Sequence, residues 1–417
     1  MPKTSHGRQD ALKDFSKSPF DSQTTCPNDL VRRAFAQDDY LILTFGAMNT
    51  MSDWYIVNNI DTVDSPALLV YKDRVLQNIR AALNTVKSPA HFRPHVKTNK
   101  TAEVCAMMVG EGITKFKCAT IPEAEMLGSV SAKDVLLAYQ PVGPKAERFA
   151  ALTEKYLDTQ YSCLVDNIAT ATRLSEIFGE QQDTLPVFID VNVGMNRTGI
   201  KPENIIELVK GMQTMPNIEV AGLHAYDGHI RDSDVGVLQK KVDETFEPVK
   251  NLRKELEKYL RRPVTVIAGG SPSFPVHAKR DDVECSPGTF VYWDWNYKHD
   301  YAEQPFEYAA LVICRIISII DEQTFCVDLG HKSIASEKPL PRVHFLNAPD
   351  AEPVSHSEEH MVVHVPDSSK YKVGDVLYGV PNHVCPTVAL YERASVVENS
   401  NVVGEWKVTA RDKRVGV

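Results

Sequence analysis

Short apolar runs and helix-spaced apolar stripes take turns along the middle of this chain. Residues 66–71 read as a buried strand, and 72–86 place Val75, Ile79, Leu83 and Val86 on one helical face. The alternation then repeats. Strands are predicted over 115–119, 134–138, 160–165, 186–191, 219–224 and 264–268, with helices over 121–130, 145–156, 168–178, 202–212 and 236–260. Strands separated by crossover helices must run parallel, and this many units in one stretch favour a closed (β/α)8 TIM-like barrel over 65–300.

Beyond residue 300 the period changes. Segments 308–321, 324–329, 360–365, 376–379, 393–398 and 402–409 are β-rich with turns between them. They predict a second, β-rich domain over 301–417, joined by 51–64 through an early strand near 54–60. Residues 1–50 are polar and weakly periodic, and are expected to form a poorly ordered amino-terminal arm.

Bulk properties narrow the function. A chain of 417 residues is long enough for two or three domains. Its net charge of −9 argues against a nucleic-acid partner. No apolar run approaches the ~18 residues that span a bilayer, so no membrane partner is expected. Residues 1–50 lack the organisation of a signal peptide. Eight scattered cysteines suggest reduced thiols and a cytoplasmic setting.

The densest chemistry lies in His91-Phe-Arg-Pro-His-Val-Lys-Thr-Asn-Lys100. Pro94 cannot sit inside a helix and favours extended backbone before it, so a short strand is expected from Arg93 onward. Alternation would put His95, Lys97 and Asn99 on one face. If that face lines a barrel, Lys97 is a partly desolvated amine, the environment of a Schiff-base nucleophile. A basic strand end facing water is the plainer reading.

Other predicted strands end in polar or glycine-rich clusters, where a barrel carries its chemistry. One loop holds Asn196 and Arg197, and another strand end holds His224, Tyr226, Asp227 and His229. Gly269 and Gly270 allow bare backbone to approach a ligand, and Ser271 adds a donor, as a phosphate cradle needs. Each has an ordinary structural alternative: a surface ion pair, a satisfied core histidine, a simple turn. His383 and Cys385 alternate onto one face of an extended segment, a plausible pair of ligands for a catalytic metal with open positions. A thiolate ligand would favour zinc. The alternative is a buried cysteine beside a turn histidine.

Six segments occur together and in order: Arg93-Pro-His-Val-Lys-Thr98, Cys118-Ala-Thr-Ile-Pro-Glu-Ala-Glu125, Asp190-Val-Asn-Val-Gly-Met-Asn-Arg-Thr-Gly199, Gly269-Gly-Ser-Pro-Ser273, Ser286-Pro-Gly-Thr289 and His383-Val-Cys385. Over 65–409 the chain resembles the D-threonine aldolase and D-serine dehydratase family of pyridoxal-phosphate enzymes. The resemblance implies an alanine-racemase-like fold, a barrel plus a β domain, paired into a homodimer. It implies that Lys97 binds the cofactor aldehyde and that Gly269, Gly270 and Ser271 hold the phosphate. His95, Asn196, Arg197 and Tyr226 are expected as further cofactor contacts, His224 and His229 as acid–base residues. His383 and Cys385 would hold the divalent metal, with zinc favoured and manganese possible.

Two positions depart from relatives. Asn99 stands where many have histidine, and Asp227 where some aldolases have histidine. The implied substrate is a small D-β-hydroxy-α-amino acid, and the leading expectation is retro-aldol cleavage of D-threonine to glycine and acetaldehyde. The main alternative is D-serine dehydration to pyruvate and ammonia. Family aldolases commonly carry aspartate at the second ligand position and the dehydratases cysteine, as at Cys385. A racemase and a non-catalytic cofactor carrier are weaker options.

Overall fold

A computed structural model describes residues 53–417, and the expected arm over 1–50 lies outside the described residues. Strand β1 (Ala67–Tyr71) leads into helix Lys72–Thr85, which buries Val75, Ile79 and Ala82 along one face. Seven parallel strands follow in spatial and sequence order: β2 (Lys115–Cys118), β3 (Asp134–Leu137), β4 (Gln160–Val165), β5 (Leu185–Asp190), β6 (Ile218–Ala225), β7 (Thr265–Ala268) and β8 (Glu284–Cys285). The six strands read from the sequence match with single-residue differences at their ends. The two-residue β8 was not among them.

The eighth place in the barrel is filled by residues 92–95. Phe92 bridges to Cys285 on β8 and His95 to Lys117 on β2, both parallel. Arg93 N–H donates to the Cys285 carbonyl and Lys117 N–H to the Pro94 carbonyl, both at 2.9 Å. Pro94 has no N–H of its own, which limits this segment to bridges rather than a ladder. The strand expected from Arg93 onward therefore stops at His95. Residues 96–99 turn instead, closed by Lys100 N–H on the Val96 carbonyl at 3.0 Å.

Leu136, Leu164, Phe188 and Ile267 fill the barrel interior, one from each of β3, β4, β5 and β7. The outward faces join the large core beneath the helices. Local capping fixes where those helices begin. Thr120 accepts from Glu123 N at 3.3 Å, Asn167 from Thr170 N at 2.9 Å and Asp234 from Val237 N at 2.8 Å.

The remaining strands are β9 (Ala310–Ile319), β10 (Thr324–Val327), β11 (Val343–Phe345), β12 (Glu352–His356), β13 (Met361–His364), β14 (Val376–Pro381), β15 (Arg393–Glu398) and β16 (Asn401–Lys407). They form a second sheet in the order β12-β13-β10-β9-β1-β15-β16, with β14 pairing both β9 and β11. Strand β1 is thus not a barrel strand, although 66–71 fell within the barrel expected over 65–300. It lies antiparallel to β9 and parallel to β15. The early strand expected near 54–60 does not form. That stretch is turn and a short 3-10 helix, Ile60–Thr62, yet Tyr55 and Val57 pack on Leu69, Tyr71 and Tyr378 of the second sheet.

Candidate active site

Parallel strands present all their carboxyl ends at one rim, and there a cavity of about 500 Å³ opens. Its lining includes Lys97, Lys117, Arg197, His224, Tyr226 and Ser271. No aspartate or glutamate lines it, so among the described residues its walls are cationic and suit an anionic ligand.

His95 and Lys97 enter from the turn that follows the first barrel segment. The His95 Nδ1 accepts Lys97 N–H at 3.2 Å. Burial first, then Lys97 and Lys117, hold this imidazole's pKa well below its ordinary value, so it is neutral. Lys97 Nζ lies 5.9 Å from the Tyr226 ring centre, and the Arg197 guanidinium 5.1 Å from it at the cavity mouth. Tyr226 itself is seated on Gly228 and Gly270; a Cβ at Gly270 would come within 3.0 Å of its ring.

Asn99 does not share the face of Lys97. It is fully buried, with Nδ2 3.8 Å from Cys105 Sγ, because the turn rotates it away from the cavity. Asn196 is exposed, receives a hydrogen bond from Asn192 and stands outside the lining, as does His229, which is exposed against Gly194. Asp227 is buried behind the Gly269–Ser273 turn rather than in the cavity. Of the proposed bases, only His224 lines the cavity.

The turn after β7 and the loop after β8 together form a donor-rich pocket end. Ser271 Oγ accepts from Gly288 N at 3.3 Å and Thr289 N at 3.2 Å. Ser286 Oγ is buried without a hydrogen-bond partner among the described residues and lines the same cavity. A Cβ at Gly288 would sit 2.9 Å from the His95 carbonyl, so bare backbone is required there. Converging N–H and hydroxyl donors, one of them orphaned, fit a phosphate.

His383 and Cys385 meet, but not on an extended segment. His383 is the residue before helix Val384–Leu390, and Cys385 lies in its first turn. Asp294 Oδ2 anchors the start of that helix by accepting Val384 N–H at 3.1 Å. Burial pushes the Cys385 thiol up, but His383 and then Lys97 outweigh it and leave its pKa below the ordinary value. Burial likewise pushes the His383 imidazolium down, while Cys385 and the Glu337 carboxylate overcome it and hold the pKa up at about 9. Thr98 Oγ1 is 3.1 Å from Cys385 Sγ. His383 Nδ1 bonds Glu337 Oε1 at 2.5 Å, which leaves Nε2 as the nitrogen that could hold a metal. Among the described residues no third histidine, cysteine or carboxylate completes a metal cage. A thiolate and an imidazole still fit an open catalytic ion, with solvent or substrate filling the rest.

Sequence reasoning missed Lys117, whose neighbours Phe116 and Cys118 face the outer core. The signal was present: a lysine flanked by two outward-facing apolar residues of a barrel strand must point inward. It also missed Gln140, which donates to Asp190 Oδ2 at 3.0 Å.

Two family models divide the chain: the alanine racemase N-terminal domain matches residues 70–294 and a serine dehydratase domain residues 309–397. The chain belongs to the alanine racemase N-terminal domain family, with the alanine-racemase-like fold. It is 26% identical over 364 residues to a 3-hydroxy-D-aspartate aldolase of Paracoccus denitrificans (strain Pd 1222), covering 84% of this chain and 93% of that protein. A D-threonine aldolase of an Arthrobacter species is 24% identical over 84% of this chain and 93% of that one. A D-serine dehydratase of Dictyostelium discoideum is 22% identical over 83% and 96%. The crystal structure of D-threonine aldolase from Filomicrobium marinum superposes with a TM-score of 0.75 at 26% identity, over 84% of this chain and 95% of that one. The resemblance read from the six motifs is borne out, and its relatives are lyases. Among the described residues no helix is long and apolar enough to cross a membrane.

Proposed function

We propose that this chain is a pyridoxal-phosphate- and divalent-metal-dependent lyase of D-β-hydroxy-α-amino acids, of the D-threonine aldolase type. The carrying observation is that His383 and Cys385 lie together, near enough to Lys97 for its charge to lower the thiol's pKa, with Cys385 Sγ 3.7 Å from Thr289 Oγ1 at the rim of a cationic cavity with a phosphate-fitting end. When bound, pyridoxal phosphate supplies a sink for the electron pair released at Cα, and the metal a Lewis acid for the β-oxygen.

The chain's own residues supply the rest. Lys97 Nζ would hold the cofactor's aldehyde carbon. The hydroxyls of Ser271 and Ser286, the second without a partner among the described residues, would hold its phosphate. Arg197 offers a planar guanidinium to the substrate carboxylate. Burial of His95 and His224 keeps both imidazoles neutral and the cavity floor short of bulk water. Retro-aldol cleavage removes a β-hydroxyl proton and returns one to Cα, so the site needs groups that exchange protons near neutral pH.

Cys385 favours a second reading, β-elimination, because the resemblance ties cysteine at this position to dehydratases. Incubation with D-threonine separates them. Glycine plus acetaldehyde supports the aldolase; 2-oxobutanoate plus ammonia supports the dehydratase; L-threonine would remove both. With this reading go a homodimer and a cytoplasmic setting. Seven cysteines are unpaired among the described residues, which suits a reducing compartment. A solution mass of a single chain would remove the dimer.

A further inference from the structure

We propose that Lys117 is a second acid–base residue of this site, its Nζ holding and releasing a proton at the cavity floor through a relay to His224 and Asp190. The residue is 2% exposed and points inward from β2, above the apolar layer of Leu136, Leu164, Phe188 and Ile267. Leucine or methionine would extend that layer without burying a cation. Among the described residues Lys117 makes no ion pair; its hydrogen-bond partner is His224 Nε2 at 3.3 Å. His224 Nδ1 in turn lies 2.8 Å from Asp190 Oδ1.

Protonation states follow from these contacts. The pKa of Asp190 lies below its ordinary value, because His224, Thr198 and Gln140 outweigh its burial; it therefore accepts, and His224 Nδ1 carries the proton. Burial and then Lys117 keep His224 neutral, so Nε2 is an acceptor for Lys117. Lys117 thus donates one N–H downward and presents its lone pair to the cavity. When it takes a proton, His224 and the carboxylate behind it stabilise the ammonium, the logic by which a triad supports its base.

The charged groups facing Lys117 set the pH range. Burial and the neighbouring Lys97 and Arg93 lower its pKa, Asp227 and Asp190 raise it, and the result is down to about 7. His95, neutral beside it, adds no charge. A neutral amine in this range is a competent base, whereas an ordinary lysine is almost wholly protonated.

The test uses the cofactor-loaded protein, Lys117→Met and Lys117→Arg, with D-threonine turnover followed against pH. Wild type should lose activity as pH falls through about 7. Lys117→Met should lose ~100-fold or more at pH ~8, with the visible cofactor band retained. Lys117→Arg should fail equally, since a guanidinium stays protonated and cannot act as a base near neutral pH; rescue by arginine, or an unchanged Lys117→Met, would overturn the proposal.

A cofactor-free readout is thermal stability. The folded pKa lies below the unfolded ~10.4, so wild-type stability should rise with pH across that window and stay flat below it. Lys117→Met should lack the rise, and the same rise in both would also overturn the proposal. If Lys117→Met does not fold, Asp190→Asn decides. Removing that carboxylate should move the acid limb of activity to lower pH, and an unmoved limb would count against the relay. The activity arm rests on the lyase reading: an inactive wild type defeats that reading, whereas an active wild type with an indifferent Lys117 defeats this one.

Discussion

His277 Nε2 lies 2.8 Å from Asp227 Oδ2, and this buried pair holds the Gly269–Ser273 turn from behind. Ser273 Oγ donates to Asp227 Oδ1 at 2.7 Å and accepts Gly270 N–H at 3.2 Å. Asp227 is thus joined to the cradle through Ser273 rather than to the cavity. Asp227→Asn should leave the fold intact and weaken pyridoxal phosphate by ~10-fold or more, since hydrogen bonds to a charged group contribute ~1.5–3 kcal/mol. Titration of the visible cofactor band measures it, and unaltered affinity would contradict the support role.

The same carboxyl predicts a pH dependence. Burial would raise its pKa, but His277 and Ser273 outweigh that and hold it below the ordinary carboxylate value. Its contribution is therefore present above the unfolded value of ~3.9 and lost as pH falls through the lower folded one. Melting curves across that acid range should fall more steeply for wild type than for Asp227→Asn. Equal slopes would show that the pair contributes nothing.

Arg93 closes the barrel seam. It is 1% exposed, with Nε 2.6 Å from Glu284 Oε2 and two further contacts of 2.7 Å to Asp134. Removing one partner of a buried ion pair strands the others, a cost of about 3–5 kcal/mol. Arg93→Ala should lower unfolding stability by that order in denaturant titration. A loss under ~1 kcal/mol would mean that the seam relaxes around the gap.

Chelation, or His383→Ala, should abolish turnover while the visible cofactor band persists. Glu337→Gln should act more mildly, reducing metal affinity ~10–100-fold, as loss of a partner that orients a ligand does. Full activity with the metal shown to be gone would exclude a metal role.

Much of the barrel was legible because its strands are short, apolar and helix-spaced, a pattern that β3 and β4 display plainly. Strand β1 joins the other sheet for a reason that local pattern does not carry: a buried Ala-Leu-Leu-Val run looks alike in either sheet, and only pairing with β9 and β15 decides. Local sequence also gave no sign that the chain turns after His95, so Asn99 was placed on the wrong face. Motifs single out Lys97, Ser271 and the His383–Cys385 pair, and the fold brings Lys97 and Ser271 into one cavity with Cys385 at its rim. Asn196 and His229 carried the same polar signal, yet the loops that hold them turn outward. Lys117 alternates with Phe116 and Cys118 on β2, but its meaning depends on a barrel that brings β2 across from β6.

Lys97, among several amines near this cavity, is the one expected to carry the cofactor. Borohydride reduction of the yellow protein followed by peptide mass spectrometry tests it most directly. A single pyridoxyl adduct on Lys97 is expected. An adduct on Lys117 or Lys100, or none on any lysine, would contradict it.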